Sequence, residues 1–304
     1  MLRSVLRKLS RQNSETEEAS PLVDVAGIDR YTPTSNAIGV IAGNGPFPIH
    51  FAKEARKHGR SIVAVAHRGE TLPELSGHVD CLEWIKVGQL GRMIDVFKQA
   101  RVSEVAMAGG INRVRLFGGV KLDARGAALM YRLRSTKDDV IMRGIAEELE
   151  SEGIRVVSCT MYLHECLVSE GVLTKSAPTD DEQTDIRIGI EALKAMSAQD
   201  IGQLVVVREG VIVAVEAVEG SDQTILRGGE LGGPGTVVVK FAKPTQDMRF
   251  DVPTVGERTI ETMSKAKARV LALETGRCLI IDREKVVAEA ARRGIAIVGC
   301  PPLV

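Results

Sequence analysis

Short apolar runs alternate with amphipathic stretches along most of this chain, and that alternation restricts the fold more than any other feature. Ala37-Ile38-Gly39-Val40-Ile41-Ala42 runs into Gly43-Asn44-Gly45-Pro46-Phe47-Pro48 and then a helical pattern to about His58. Further strands are expected over 61–66, 81–85, 104–108 and 154–158, with helices over 89–100, 125–134 and 140–152. Parallel neighbours need a crossover connection and a helix supplies it, so this order predicts a parallel sheet. The order then changes. A helix over 182–196 leads into strands 204–208 and 211–216, joined at Glu209-Gly210 as a hairpin, which no purely parallel sheet contains. A short helix after Asp222, a glycine loop over 228–235, strands at 236–239, 270–274, 278–282 and 295–298, and helices to about Ala268 and over 283–293 complete a second unit.

The expected fold is therefore α/β in two domains, with a Rossmann-like parallel sheet over 36–166 and a mixed-sheet α/β domain over 167–304. A chain of 304 residues, 44% of them apolar, is long enough for both cores. Residues 1–35 read as a disordered leader. Leu2, Val5, Leu6 and Leu9 fall on one helical face opposite Arg3, Arg7, Lys8 and Arg11, which suits an anionic membrane surface or an organelle leader, and the acidic run from Ser14 to Ser20 reads as a linker.

Forty basic and forty acidic residues leave no net charge, which excludes nucleic-acid binding through bulk electrostatics; an anionic ligand must be held locally. Five cysteines without a Cys-x-x-Cys pair fit free thiols in a reducing compartment. No apolar run approaches the roughly 20 residues that span a bilayer, so a cytoplasmic location is expected. His164-Glu165 lacks the second histidine of a zinc motif and reads as a packed structural pair.

Two stretches carry chemistry. The Gly43-Asn44-Gly45 turn sits between a strand and a helix, where unpaired amides can bind phosphate. As a dinucleotide fingerprint it fails, because Pro48 replaces the third glycine and no acidic residue closes the strand over 61–66. Gly109, with Arg113 and Arg115 downstream, opens a second strand end of this kind. The other stretch follows the apolar run at 236–239: Lys240, Lys243, Gln246, Asp247, Arg249 and Asp251 lie around Pro244 and Pro253. Its cations suit phosphate oxygens and its carboxylates suit a hard divalent metal. Asp247 and Asp251 are about 13 Å apart in extended chain and about 6 Å apart only in a turn, so one direct metal ligand is expected rather than two. Ser221 and Asp222 suit either a helix cap or a ligand contact, Asp138 or Asp139 suits a cap, and Thr254 with Glu257 has capping-box spacing. Without a nucleophile elbow or a phosphate loop of kinase type, metal-assisted attack of water on a phosphoryl centre, in a cleft between domains, accounts best for both stretches. A non-catalytic nucleotide-sugar or lipid-phosphate binding module is the competing class. It would need the glycine turn but not Asp222, Asp247 and Asp251.

Ile-Ala-Gly-Asn-Gly-Pro-Phe-Pro at 41–48, Glu-Gly-Val-Leu-Thr at 170–174, Asp-Ile-Gly-Gln-Leu-Val-Val-Val at 200–207, Val-Glu-Gly-Ser-Asp at 218–222 and Lys-Pro-Thr-Gln-Asp-Met-Arg-Phe-Asp-Val-Pro-Thr-Val-Gly at 243–256 resemble the LpxI family of UDP-2,3-diacylglucosamine pyrophosphatases. The resemblance covers about residues 37–300. It implies hydrolysis of a UDP-linked diacylated glucosamine to UMP and the acylated sugar phosphate, as in lipid A biosynthesis, with Mg2+ and with substrate between two domains. Two acyl chains favour the membrane, so a soluble protein working peripherally at the inner membrane is expected, with a homodimer as a candidate assembly. Gly43, Asn44 and Gly45 would meet the UDP portion. Asp247 is the choice for the family's essential acidic residue, with Asp251 and Asp222 next. Asp247, Asp251 and Lys243 are thus assigned to catalysis, Asp247 and Asp222 to metal. Gly109, Arg113, Ser221, Asp222, Lys240, Gln246 and Arg249 join the glycine turn in binding substrate. Two departures stand out: residues 109–115 lack the proline of the family's Gly-x-x-x-Arg-Pro, and the first 35 residues are extra to the pattern.

Overall fold

The computed structural model describes residues 25–111, 121–134, 138–197, 201–243, 246–249 and 252–302. The helical and linker expectations for the first 24 residues, and those for Arg113, Arg115, Pro244 and Asp251, lie outside them.

The N-terminal sheet holds β1 (Ala37–Ala42), β2 (Ser61–His67), β3 (Cys81–Ile85), β4 (Glu104–Ala108) and β5 (Arg155–Val157) in the order β3-β2-β1-β4-β5. Every pairing is parallel, and β1 runs beside β2 in register from Ala37↔Ser61 to Ala42↔Ala66. The strands read as continuous apolar runs because both faces are covered. Ile38, Val40 and Ala42 pack with Phe47 and Phe51 of α1 (Phe47–Lys57). The opposite face packs on α2 (Leu90–Gln99), α3 (Ala124–Leu133) and α4 (Asp138–Ser151) through Ile94, Phe97, Leu129 and Leu149. The strand order reverses between β1 and β4, which is where open α/β sheets form their crevice.

β6 (Gly171–Val172) opens the second sheet, ordered β6-β13-β11-β9-β7-β8. Its members are β7 (Leu204–Arg208), β8 (Val211–Val215), β9 (Val237–Lys240), β11 (Val270–Glu274) and β13 (Ala296–Cys300). β9, β11 and β13 are parallel, whereas β6, β7 and β8 enter antiparallel, so the sheet is mixed. The hairpin turn places both Glu209 (φ 49°) and Gly210 (φ 81°) in the left-handed region, and the Asp185 carboxylate accepts both of their amides at 3.0 and 2.7 Å. One face packs on α5 (Asp180–Ser197), the other on α6 (Ser221–Gly232), α7 (Glu257–Lys265) and α8 (Arg283–Arg292). β10 (Thr254–Val255) and β12 (Leu279–Ile280) form a separate parallel pair. Val252, Leu279 and Ile281 share a core with β1 and α1, so the two halves meet through apolar contact.

Four expectations need correction. The leader does not extend to residue 35: Ala26 bridges to Cys81, Leu82 N–H donates to Ala26 O at 3.0 Å, and Ile28 is buried in the core. The 228–235 glycine loop is largely helix, since α6 runs to Gly232; a Cβ on Gly228 would stand 2.7 Å from Val206, so this glycine lets the helix lie close on β7. Thr254 and Glu257 form no capping box. Thr254 belongs to β10, and the α7 N-cap is Gly256, whose N–H donates to Thr259 Oγ1 at 3.4 Å. His164 is exposed rather than packed. The thiols are all free, with Cys166 half-buried; burial pushes Cys81 and Cys278 up to about 12 and Cys300 to about 11, leaving these three neutral and inert.

Candidate functional site

The two glycine turns interlock at the strand-order reversal. Gly43 N–H donates to Ala108 O at 2.8 Å and Asn44 N–H to Gly110 O at 2.7 Å. A Cβ on Gly43 would lie 2.4 Å from Gly110 O, and one on Gly109 (φ 82°) 2.5 Å from Asn44 O. Close backbone approach therefore already requires glycine at 43 and 109. Gly45 (φ 75°) faces open space, and α1 starts behind it with Pro46 as N-cap and no side-chain cap, so its positive end is open to a ligand. Gly43, Asn44, Gly45 and Gly109 are thus one constellation.

A neighbour absent from the sequence-based assignments stands beside it. Asn44 Nδ2 donates to Glu70 Oε2 at 3.5 Å, and Glu70 is buried. The apolar run of β2 ends without an acid, and the chain then turns back and returns Glu70 to the crevice.

In the other half, β9 delivers Lys240, which is 6% exposed. Its ammonium donates to Ser221 Oγ and to Thr254 O, each at 3.2 Å. Ser221 Oγ in turn donates to Glu216 Oε1 at 3.0 Å, and Glu216 Oε2 accepts Gln203 N–H at 3.3 Å. Ser221 is therefore a relay between cation and carboxylate and not a cap, the α6 N-cap being Gly220. Asp222 does not cap either: its Oδ2 pairs with Arg258 Nε at 2.7 Å and its Oδ1 accepts Thr262 Oγ1 at 3.5 Å, which ties α6 to α7.

The segment after β9 is anchored from beneath by Glu274, a fully buried carboxylate. It accepts Ala242 N–H at 2.8 Å and Arg277 Nη1 at 3.3 Å, while Arg277 Nη2 donates to Lys243 O at 3.0 Å. Gln246 closes the turn: its Oε1 accepts Lys243 N–H at 2.8 Å and its Nε2 donates to Gln203 Oε1 at 3.3 Å. Asp247 Oδ1 then accepts the backbone N–H of Arg249 at 3.0 Å, and Oδ2 accepts Arg249 Nη2 at 2.8 Å. The Arg249 hydrogen bonds hold the Asp247 carboxyl below its usual range against the opposing effect of burial, and the charge of Arg143 adds to them.

Arg249 also reaches the other half of the molecule. Its Nη1 donates to Glu150 Oε1 at 3.0 Å, and its carbonyl accepts Cys159 N–H at 2.8 Å, just past the carboxyl end of β5. The segment therefore leaves the carboxyl end of β9 and lies against the carboxyl end of the N-terminal sheet, the end that carries both glycine turns.

Among the described residues no three His, Cys, Asp or Glu side chains gather as a metal site. Asp222 and Asp247 are each engaged by a different arginine. The donors present fit a hard cation that takes one carboxylate from the protein and its remaining oxygens from substrate and water, as Mg2+ commonly does.

The LpxI N-terminal domain family matches residues 37–166 and the LpxI C-terminal domain family residues 169–298. The UDP-2,3-diacylglucosamine pyrophosphatase LpxI of Caulobacter vibrioides is 30% identical over 276 residues, covering 87% of this chain and 98% of that protein. Among solved structures, the ADP-bound biotin carboxylase domain of a thermophilic 2-oxoglutarate carboxylase is 14% identical and covers 60% of this chain and 38% of its own, with a TM-score of 0.22. The N5-carboxyaminoimidazole ribonucleotide synthetase of Thermotoga maritima is 15% identical and covers 60% of this chain and 41% of its own, also with a TM-score of 0.22. Likenesses that slight carry no argument. The two matched domains together span both sheets and the segment between them, and with the Caulobacter vibrioides relative they place the chain in the LpxI family.

Proposed function

We propose that the chain hydrolyses the pyrophosphate bond of UDP-2,3-diacylglucosamine, releasing UMP and 2,3-diacylglucosamine 1-phosphate (lipid X), as a step of lipid A biosynthesis. The observation that supports this is the charged segment that leaves the carboxyl end of β9 with Lys243 and, at Asp247 and Arg249, meets the N-terminal half through Glu150 and the Cys159 backbone just past β5. The open start of α1 suits the nucleotide's phosphates, and Lys240, Lys243 and Arg249 suit the anionic sugar phosphate. Asp247, with Asp251 outside the described residues, supplies the acidic group; Asp247 would hold Mg2+, whose contribution when bound would be Lewis-acid polarisation of the phosphoryl centre. Arg258 and Thr262 engage the oxygens of Asp222, and Arg249 engages both oxygens of Asp247, so either carboxylate would give up an arginine contact on taking the metal.

Incubating the purified protein with UDP-diacylglucosamine and Mg2+, with UMP release as the readout, separates this hydrolase from a binding module that holds the nucleotide and releases nothing. Activity is expected to fall to background in excess EDTA and to return with Mg2+ or Mn2+ but not Zn2+, since the donors are hard oxygens. Full turnover in EDTA would remove the metal from the mechanism.

Among the described residues no helix is long and apolar enough to cross a membrane. The diacylated substrate would then be met at the cytoplasmic face of the inner membrane by a peripheral protein. Met1 to Arg11 carries Arg3, Arg7, Lys8 and Arg11, each worth about 1 kcal/mol near an anionic leaflet. Deleting residues 1–24, and not the packed stretch that follows, is expected to preserve activity on detergent-dispersed substrate while weakening co-sedimentation with anionic vesicles at low salt. Equal vesicle binding by both proteins would move the membrane contact to the folded domains.

A further inference from the structure

The carboxylate beside the glycine turns is held there by the backbone. β2 ends at His67, and the N–H groups of Glu70 and Thr71 both donate back to His67 O at 3.0 Å. Thr71 Oγ1 accepts His67 N–H at 2.9 Å and donates to Ala42 O at 2.6 Å, and His67 Nδ1 donates to that same carbonyl at 2.9 Å. The turn is thereby fastened to the last residue of β1. Asn44, which bonds Glu70 through its side chain, is itself pinned by its backbone to Gly110. Glu70 therefore stands at the carboxyl end of β2, next to the start of α1.

We infer that Glu70 receives the ribose hydroxyls of the substrate's uridine, an assignment that rests on the UDP-lipid hydrolase proposed above. The uncapped start of α1 attracts phosphate, and a carboxylate next to a bound diphosphate repels it unless it faces a hydrogen-bond donor. In a nucleoside diphosphate the donors nearest the phosphates are the two ribose hydroxyls. Doubly wound sheets place an acid after the second strand for this contact, and here it stands three residues past His67, brought back by the turn. Asn44 Nδ2 orients the carboxylate from the phosphate side. Burial lowers the pKa of His67, so the imidazole beneath the turn is neutral and does not compete as a cation.

Calorimetric binding of UMP, 2′-deoxy-UMP and 3′-deoxy-UMP to the full-length protein and to Glu70→Gln tests the contact. The unaltered protein is expected to bind UMP at least about tenfold more tightly than one or both deoxy nucleotides, as the loss of a hydrogen bond to a charged group implies. Glu70→Gln should erase that preference by weakening UMP to the level of the deoxy forms. Equal affinity of the unaltered protein for all three nucleotides, no measurable UMP binding, or a Glu70→Gln variant that keeps the preference would each overturn the assignment. The discrimination of the unaltered protein decides the matter even where the variant does not fold. Hydrolysis of UDP-diacylglucosamine is scored separately. A protein that hydrolyses it but ignores the hydroxyls loses only the Glu70 contact, whereas a protein that discriminates but does not hydrolyse loses the hydrolase.

Discussion

Replacing Asp247 by Asn is expected to slow turnover at least about a hundredfold, roughly 2.7 kcal/mol of transition-state stabilisation, with the fold and substrate affinity retained. The structure separates the two effects. Asp247 and Arg249 have side chains 20% and 39% exposed, and pairs at that level of exposure contribute about 0–1 kcal/mol to stability. Asn keeps an oxygen for the Arg249 backbone amide, and Arg249 keeps Glu150. A large loss of kcat with a nearly unchanged unfolding midpoint would therefore mark lost chemistry rather than lost structure. The pH dependence follows from the same contacts. Because Arg249 depresses the folded-state pKa, the stabilisation from the pair is present above the unfolded value of about 3.9 and is lost only as pH falls through the lower folded value. Asp247 therefore stays ionised across the neutral range, and an acidic limb in the rate between pH 5 and 8 must come from another group. An Asp247→Asn protein with the original turnover would end the assignment.

Glu274→Ala is expected to cost about 2–4 kcal/mol of stability, from the orphaned Ala242 amide and the cavity left by a fully buried side chain. Glu274 is fully buried and satisfies Ala242 N–H and Arg277 Nη1; its removal leaves the buried Ala242 N–H without an acceptor and the partly exposed Arg277 without its carboxylate. Activity should fall with it, because Arg277 also holds Lys243 O and thereby the base of the segment that carries Asp247. Glu274→Gln retains an acceptor for Ala242 and should cost only about 1–3 kcal/mol. Urea unfolding of the three proteins gives the ordering. A Glu274→Ala protein within 1 kcal/mol of the original would show that the segment is held by other contacts.

The sequence alone carried the architecture. Strands such as Ala37–Ala42 and Leu204–Arg208 are apolar at nearly every position because helices cover both faces of each sheet, and that pattern is local enough to read without coordinates. The segment from Lys240 to Thr254 was legible for a similar reason: mixed charge around two prolines after a buried strand is unusual, and the family motif at 243–256 overlaps it. Pairing decided the rest. Ser221 and Asp222 suited either caps or ligand contacts from the sequence, but Ser221 relays Lys240 to Glu216 over 19 and 5 residues, and Asp222 answers Arg258 and Thr262 on a different helix. Glycines 43 and 109 looked like a ligand's requirement and proved to be each other's, since two strand ends 66 residues apart (109 − 43) meet at backbone distance. Glu70 was not legible in the sequence because the turn after β2 folds back on Ala42, a contact that no local period encodes. Apolar periodicity depends on a residue's own neighbours in the chain and so determines elements and faces. The partner of a buried polar group depends on which elements the fold brings together, and only the tertiary structure fixed Glu274 under Lys243, Arg249 against Glu150, and Glu70 beside Asn44.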